Sequence, residues 1–322
     1  MKTWLYSTAI CATALCATVA VSSVTPAHAA DKTYNFAIVP KSLNNPYFDL
    51  SRDGCMAEAT KLGNVKCTYI GPVNQDAAAE VQTIQDLITR GTDGIAISVA
   101  DAGSVQRVIA HGRAAGIPII TFDADAPASA RQAYVGTNNL LLGQYLGEQL
   151  IKAHPTAGTY AMVSGGPAAE NLNQRLKGVR DVLGKAGWKE ISGSPTFCND
   201  DSALGIQQMT DLMTGNPNLS AIVAVGGWPM FTENAYDAFY NKNKAAIDGG
   251  KLTIVTADTL PAELNELKRG EIAALVGQQP YAMGAKAMDI LLQLKEGKTV
   301  DPIQYVGLDI VTKDNVDTFL KK

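Results

Sequence analysis

The sequence predicts an α/β protein of two doubly wound parallel-sheet lobes, and three observations carry that expectation. Short Val/Ile/Ala-rich runs alternate with amphipathic helical stretches along most of the chain. Most of the runs are continuous rather than alternating, as strands buried on both faces are. Several helical stretches end in glycine and lead straight into the next run, at Lys61-Leu62-Gly63, Thr89-Arg90-Gly91, Ala114-Ala115-Gly116 and Lys268-Arg269-Gly270. One parallel sheet holding all these strands would be unusually wide. A division into two sheets is expected after Tyr134-Val135-Gly136-Thr137.

The chain opens with an address. Met1-Lys2 gives a positive start, Trp4 to Val21 an apolar run, and Ala27-His28-Ala29 a signal-peptidase site. Ser and Thr dilute the run and a cleavage site comes after it, which disfavours a membrane anchor. Cys11 and Cys16 stand behind Ile10 and Leu15 rather than the small residue that lipidation wants. Residues 1–29 are therefore expected to be a signal peptide, with a soluble protein outside the cytoplasm beginning near Ala30. No later stretch reaches the roughly 18 apolar residues of a spanning helix.

Strands are expected at Asn35–Val39, Lys66–Ile70, Gly94–Val99, Pro118–Phe122, Thr159–Ser164, Ala221–Val225, Leu252–Ala257 and Ile272–Val276. Between them, Glu80 to Arg90 places Val81, Ile84, Leu87 and Ile88 on one helical stripe, ended by Gly91. Leu142, Tyr145, Leu146 and Leu150 form a second stripe, and Ala282 to Leu294 a third, stopped by Gly297.

Composition excludes several classes of function. Processing would leave 293 of the 322 residues, and loss of Lys2 would move the formal net charge from −4 to −5. A mildly acidic chain with no basic run argues against nucleic acid or an anionic membrane as partner. At 46% hydrophobic and 18% charged residues the chain is an ordinary globular one. Cys55, Cys67 and Cys198 survive processing. A Cys55–Cys67 bridge between a helix and the next strand suits an oxidising compartment; the competing reading is two small buried hydrophobes. Only His111 and His154 remain, without metal-ligand spacing, so neither a metal nor another cofactor is expected.

Polar and aromatic residues gather just after the expected strands, where open α/β sheets bind ligands. After the first come Asn44-Asn45-Pro46-Tyr47-Phe48, with Pro46 at a helix start and Asn44 or Asn45 capping it. After the third stand Ser98 and Asp101. The run Thr121-Phe122-Asp123-Ala124-Asp125-Ala126-Pro127 brings Asp123 and Asp125 to the end of the fourth. In the second half, Ala221–Val225 leads to Gly226-Gly227-Trp228-Pro229 and Leu252–Ala257 to Asp258. A carboxylate beside a buried strand needs a partner, and the paired hydroxyls of a sugar supply one. Trp228 either packs under its loop or offers a stacking surface; the stacking role is favoured. Trp188, at a helix-to-strand junction, reads as structural.

Taken together, these features resemble the type I periplasmic sugar-binding proteins, the solute receptors of ABC importers, over the whole chain after residue 29. The carriers are Leu43 to Phe48, Gln85 to Ile95, Ile117 to Pro127, Tyr134 to Asn139, Asn171 to Gly178 and Val276 to Gly284. The resemblance implies two lobes joined by three crossings, near Thr137, Gln278 and Tyr305, that close on ligand by a hinge. It implies a first lobe of residues 30–137 plus 279–304, and a second of 138–278 plus 305–322. Facing the ligand it would place Asn45, Phe48, Ser98 and Asp123 from the first lobe. From the second lobe and hinge it would place Asn173 or Asn171, Arg175, Asn199, Trp228, Asp258 and Gln278.

Departures narrow the ligand. Ribose-type receptors carry Arg after the strand-four Asp, where Ala124 stands here, and Phe where Asn199 aligns. The Asp123–Pro127 and Gly277–Tyr281 runs are closer to a glucose-binding member. The resemblance thus implies a periplasmic monomer that delivers a glucose-like aldose to an inner-membrane ABC permease, and no enzyme. A receptor for a polyol or inositol-like ligand is the alternative. A sugar-processing enzyme is the weaker one, since Ser164-Gly165-Gly166-Pro167 matches neither a dinucleotide-binding nor a nucleophile-elbow spacing.

Overall fold

The computed structural model describes residues 1–5 and 32–321. The expected signal peptide, with Cys11, Cys16 and the Ala27–Ala29 site, falls largely outside the described residues, and the fold is that of the unit beginning at Thr33. That unit opens with β1 (Tyr34–Val39), α1 (Tyr47–Leu62), β2 (Val65–Tyr69), α2 (Ala77–Thr89), β3 (Gly94–Ile97), α3 (Gln106–Ala114), β4 (Ile119–Phe122) and β5 (Tyr134–Gly136). It continues with α4 (Asn139–Ala153), β6 (Thr159–Ser164), α5 (Glu170–Lys185), β7 (Lys189–Glu190), β8 (Thr196–Phe197), α6 (Ser202–Gly215) and β9 (Ala221–Ala224). A 3-10 turn at Trp228–Met230 precedes α7 (Glu233–Asp248), β10 (Thr253–Ala257), α8 (Pro261–Arg269) and β11 (Ala274–Gly277). The chain ends with α9 (Pro280–Lys295), β12 (Ile303–Tyr305), β13 (Asp309–Val311) and α10 (Val316–Phe319).

Two sheets result. The first has the order β12-β5-β4-β3-β1-β2 and every neighbouring pair is parallel. The second has the order β13-β11-β10-β9-β6-β7, with β8 also paired to β6. It is parallel except at its edge, where β13 runs antiparallel to β11. The chain passes from one sheet to the other three times, after β5, after β11 and between β12 and β13. Thr137 and Gln278 lie within the first two crossings. Tyr305, expected to begin the returning segment of the second lobe, pairs instead with Gly136 as the last residue of β12 in the first sheet.

The inner strands of both sheets are buried on both faces because helices cover both, whereas the edge strands β2, β7, β12 and β13 stay partly exposed. On β1, Phe36 and Ile38 face a cluster with Cys55, Ala59, Met283, Ala287 and Leu291 of α1 and α9. Ala37 and Val39 face the opposite way, toward Ile84, Leu87 and Ile88 of α2 and Ile109 of α3. Burying each large aliphatic side chain contributes about 1.5–3 kcal/mol. The stripe expected in α2 is the one that packs, with Val81 half-buried at its rim. Asp76 starts that helix by accepting from the backbone N–H groups of Ala78 and Ala79. Leu142, Leu146 and Leu150 of α4 are buried in the second lobe.

In each lobe one helix pair crosses at backbone contact. A β-carbon on Gly54 of α1 would overlap the carbonyl of Tyr281 in α9, and one on Gly284 the carbonyl of Ser51. In the second lobe, Gly143 of α4 lies against the carbonyl of Arg175 in α5, and Gly178 against that of Leu140. Only glycine permits such approach.

Cys55 of α1 is disulfide-bonded to Cys67 of β2, with 6.1 Å between α-carbons. Cys198 is free and buried. Replacing both bridge cysteines (Cys55→Ala/Cys67→Ala) is expected to cost about 2–4 kcal/mol, read as a lower urea midpoint. An unmoved midpoint would mean that the bridge adds nothing.

Candidate functional site

The two sheets present their carboxyl ends to each other. In the first, strand order reverses between β1 and β3; in the second, between β6 and β9. Such switch points open a crevice beyond the strand ends, and here the two crevices form one cavity. Lys41, Asn45, Tyr47, Phe48 and Asp123 line it from the first lobe. Asn171, Leu172, Arg175, Asp200, Trp228 and Asp258 line it from the second, and Gln278 from a crossing. The space left between them is about 20 Å³, room for one water rather than for a larger ligand. A wider, more apolar depression beside it shares Tyr47, Asp258 and Gln278 but lacks Asp123, Arg175 and Asp200. The inner cavity is therefore the candidate site.

The carboxylates are aimed by backbone that seldom suits a side chain. Asp123, directly after β4, has φ 56°, and Asp258, directly after β10, has φ 79°. Both lie in the left-handed region that non-glycine residues avoid. Asp123 accepts from the Ser98 hydroxyl at 2.6 Å, and its carbonyl accepts from the Tyr134 hydroxyl at 2.8 Å. Asp258 accepts from the Gly227 N–H at 3.1 Å and from Gln278 Nε2 at 2.7 Å. Burial pushes the Asp258 pKa up, and the neighbouring Arg175 opposes that shift.

Arg175 is only 2% exposed. Its Nε donates to Asn139 Oδ1 at 2.9 Å, Nη1 to the Val225 carbonyl at 2.9 Å and Nη2 to Gln278 Oε1 at 2.7 Å. Gln278 Oε1 also accepts from the Thr137 hydroxyl at 2.9 Å. One network thus ties two crossings to the second lobe.

The aromatic faces come from both sides. Phe48 meets Tyr47 and Phe122 edge-on, at 5.2 and 6.2 Å between ring centres. Trp228 lines the cavity and also packs into the second-lobe core. A β-carbon at Gly226 or Gly165 would strike its ring, which is why glycines surround it.

Of the residues singled out by sequence, Asn45, Phe48, Asp123, Asn171, Arg175, Trp228, Asp258 and Gln278 meet at the cavity. Asn45 doubles as a cap, its Oδ1 accepting from the Tyr47 N–H at 3.0 Å. Ser98 lies behind Asp123 and orients it. Asp125 is not brought in: Arg131 holds it bidentately at 2.5 and 2.7 Å, and Thr121 donates to it. Asn173 is exposed and donates to the Pro167 carbonyl. Asn199 lies in an outer depression with Ser42 and Asn44, while its neighbour Asp200 lines the cavity. His111 and His154 line no part of the cavity, and His154 pairs with Thr253.

Sequence reasoning missed Lys41, Tyr47, Leu172 and Asp200. Lys41 stands two residues past β1, at the strand-end position that flagged the others. Asp200 is one residue from the expected Asn199. The site is thus a neutral-to-acidic box of three carboxylates, two cations, three amides and aromatic walls. It suits a small uncharged ligand rich in hydroxyls.

Comparison with known proteins places these features in a family. The periplasmic binding protein domain matches residues 36–299. The ribose import binding protein of Salmonella typhimurium is 26% identical, over 92% of this chain and 96% of its own. A solute binding protein of an ABC transporter from Burkholderia graminis, solved in complex with D-arabinose, is 33% identical with a TM-score of 0.80, covering 89% of this chain and 97% of its own. A glucose-galactose binding protein from Geobacillus stearothermophilus is 26% identical with a TM-score of 0.79, covering 88% and 99%.

Behind Lys41 lies Glu80, fully buried, with both oxygens turned to the Ala100 N–H at 3.1 and 3.3 Å. Burial pushes its pKa up to about 8, against the opposing pull of that N–H and of Lys41. A carboxyl whose pKa is higher folded than unfolded binds its proton more tightly in the native state. Stability should therefore fall as pH rises from the ordinary carboxylate range to about 8, by up to about 1.4 kcal/mol per pH unit. Urea unfolding at pH 5 and pH 8 should show that Glu80→Gln loses less stability over this interval than the wild type. Equal losses would show that Glu80 ionises as an exposed carboxyl does.

Proposed function

This chain belongs to the periplasmic binding protein family, and on that premise we propose that it is the solute-binding protein of an ABC importer, carrying one neutral aldose. The observation that carries this reading is the shared cavity, with buried Asp123, Asp200 and Asp258 beside aromatic walls from both lobes. Carboxylate and amide oxygens accept from sugar hydroxyls, Arg175 and Lys41 donate to them, and Phe48 and Trp228 cover the C–H faces. Each bond to a charged group contributes about 1.5–3 kcal/mol, so a handful gives micromolar or tighter affinity.

The relatives' names support an aldopentose or aldohexose; the Gly277–Tyr281 run favours a glucose-like hexose among these. With so little free volume between the side chains, a sugar ring enters only when the lobes part. Parting about the three crossings, then closure on ligand, is the motion this architecture supports. The closed monomer then docks on an inner-membrane permease from the periplasmic side. Among the described residues the cavity offers no activated nucleophile, and the reading is one of carriage rather than catalysis.

A thermal-shift screen of D-ribose, D-arabinose, D-glucose, D-galactose, mannitol and myo-inositol tests this. At least one aldose should raise the melting temperature, and Asp123→Asn should weaken its binding at least tenfold by calorimetry with ligand-free melting unchanged. A shift by a polyol alone would change the ligand class. No shift by any of the six would remove the reading.

A further inference from the structure

One ion pair in the cavity joins the two lobes, and its hydrogen bonding is incomplete. Lys41 comes after β1 in the first lobe, and Asp200 after β8 in the second. Lys41 Nζ stands 3.6 Å from Asp200 Oδ2, within ion-pair range but beyond a hydrogen bond. The two side chains are 3% and 0% exposed. Among the described residues, none donates a hydrogen bond to either carboxylate oxygen of Asp200. Asn45 and Lys41 lie close enough to hold its pKa down against the larger effect of burial, yet neither has hydrogen-bonding geometry. A buried carboxylate with open acceptors is costly unless something donates to it.

The local backbone is arranged for this exposure to the cavity. Asn199 and Asp200 both have positive φ, 50° and 60°, an uncommon pair of left-handed residues in succession. Behind Lys41, Glu80 spends both oxygens on the Ala100 N–H. The lysine ammonium is thus left facing Asp200.

What completes such a pair is a group that accepts from an ammonium and donates to a carboxylate at once. A hydroxyl does both; a carboxylate ion or a second ammonium does only one. We infer that Lys41 and Asp200 form a two-lobe reader, in which one hydroxyl of the bound aldose accepts from Lys41 and donates to Asp200. Selection of that hydroxyl and closure of the lobes are then a single event. This rests on the aldose reading above.

The probe is whichever of D-ribose, D-arabinose, D-glucose and D-galactose binds the wild type most tightly by calorimetry. Lys41→Met and Asp200→Asn each remove half of the reader with little change of shape, and asparagine tolerates the positive φ. Each single variant should bind the probe at least tenfold more weakly. The double variant should be within threefold of the weaker single, because the bridge is already lost. Among monodeoxy analogues of the probe, one should bind the wild type at least tenfold more weakly than the parent, and that analogue and the parent should bind Asp200→Asn alike. Ligand-free melting temperatures verify the fold of each variant, and the deoxy scan on the wild type needs no variant.

Single variants that bind like the wild type, losses that add in the double variant, or a scan in which no deoxy position costs tenfold would each overturn the reader. Any of these with an aldose still bound leaves the carrier reading standing. If none of the four sugars binds the wild type, the carrier reading fails and the reader with it.

Discussion

The architecture turns on one buried guanidinium. Arg175 is buried at the junction of both lobes, and a guanidinium stays charged in proteins. A buried charge without partners is strongly destabilising, by a large share of what a fold can supply. Its partners therefore have to be fixed: Asn139 at the head of α4, the Val225 carbonyl beyond β9 and Gln278 in the second crossing. Gln278 in turn receives Thr137 from the first crossing and donates to Asp258 at the cavity wall. The position of a cavity carboxylate is thereby set by the same network that joins the lobes.

The two lobes solve one problem in the same way. Asp123 and Asp258 each come directly after the last residue of a buried strand, and each has a left-handed backbone. The Asp123 N–H donates to the Val135 carbonyl on the next strand, and the Asp258 N–H to that of Val276. The backbone bond holds the residue in the sheet's register while the positive φ turns its side chain out of the pleat. The unfavourable conformation is sustained by the packed strands beneath it.

Length and locality decided how much was legible in the sequence. All eight expected strands are present, and most of them are continuous apolar runs sandwiched by helices. The short β7, β8, β12 and β13 span two or three residues each, too few to leave a periodic signal. Cavity residues at or shortly after strand ends, such as Asp123, Trp228 and Asp258, could be read because topology puts strand ends there. Asp125 belongs to the same run yet is claimed by Arg131, a partner that adjacency does not reveal. Asn199 and Asp200 differ by one position, and only the backbone turn between them decides which faces inward. Lys41 needed no more than the strand-end rule already applied to Asn45.

The glycine-tight crossings of α1 with α9 and of α4 with α5 bear on how the molecule deforms. Helices touching backbone to backbone cannot slide without one main chain riding over another. Sliding within each of these two pairs is thereby opposed, while the short connectors between the sheets carry no such lock. In the proposed parting of the lobes each half would turn as one block about those connectors, and a displacement at the cavity wall would be carried undiminished to the outer rim.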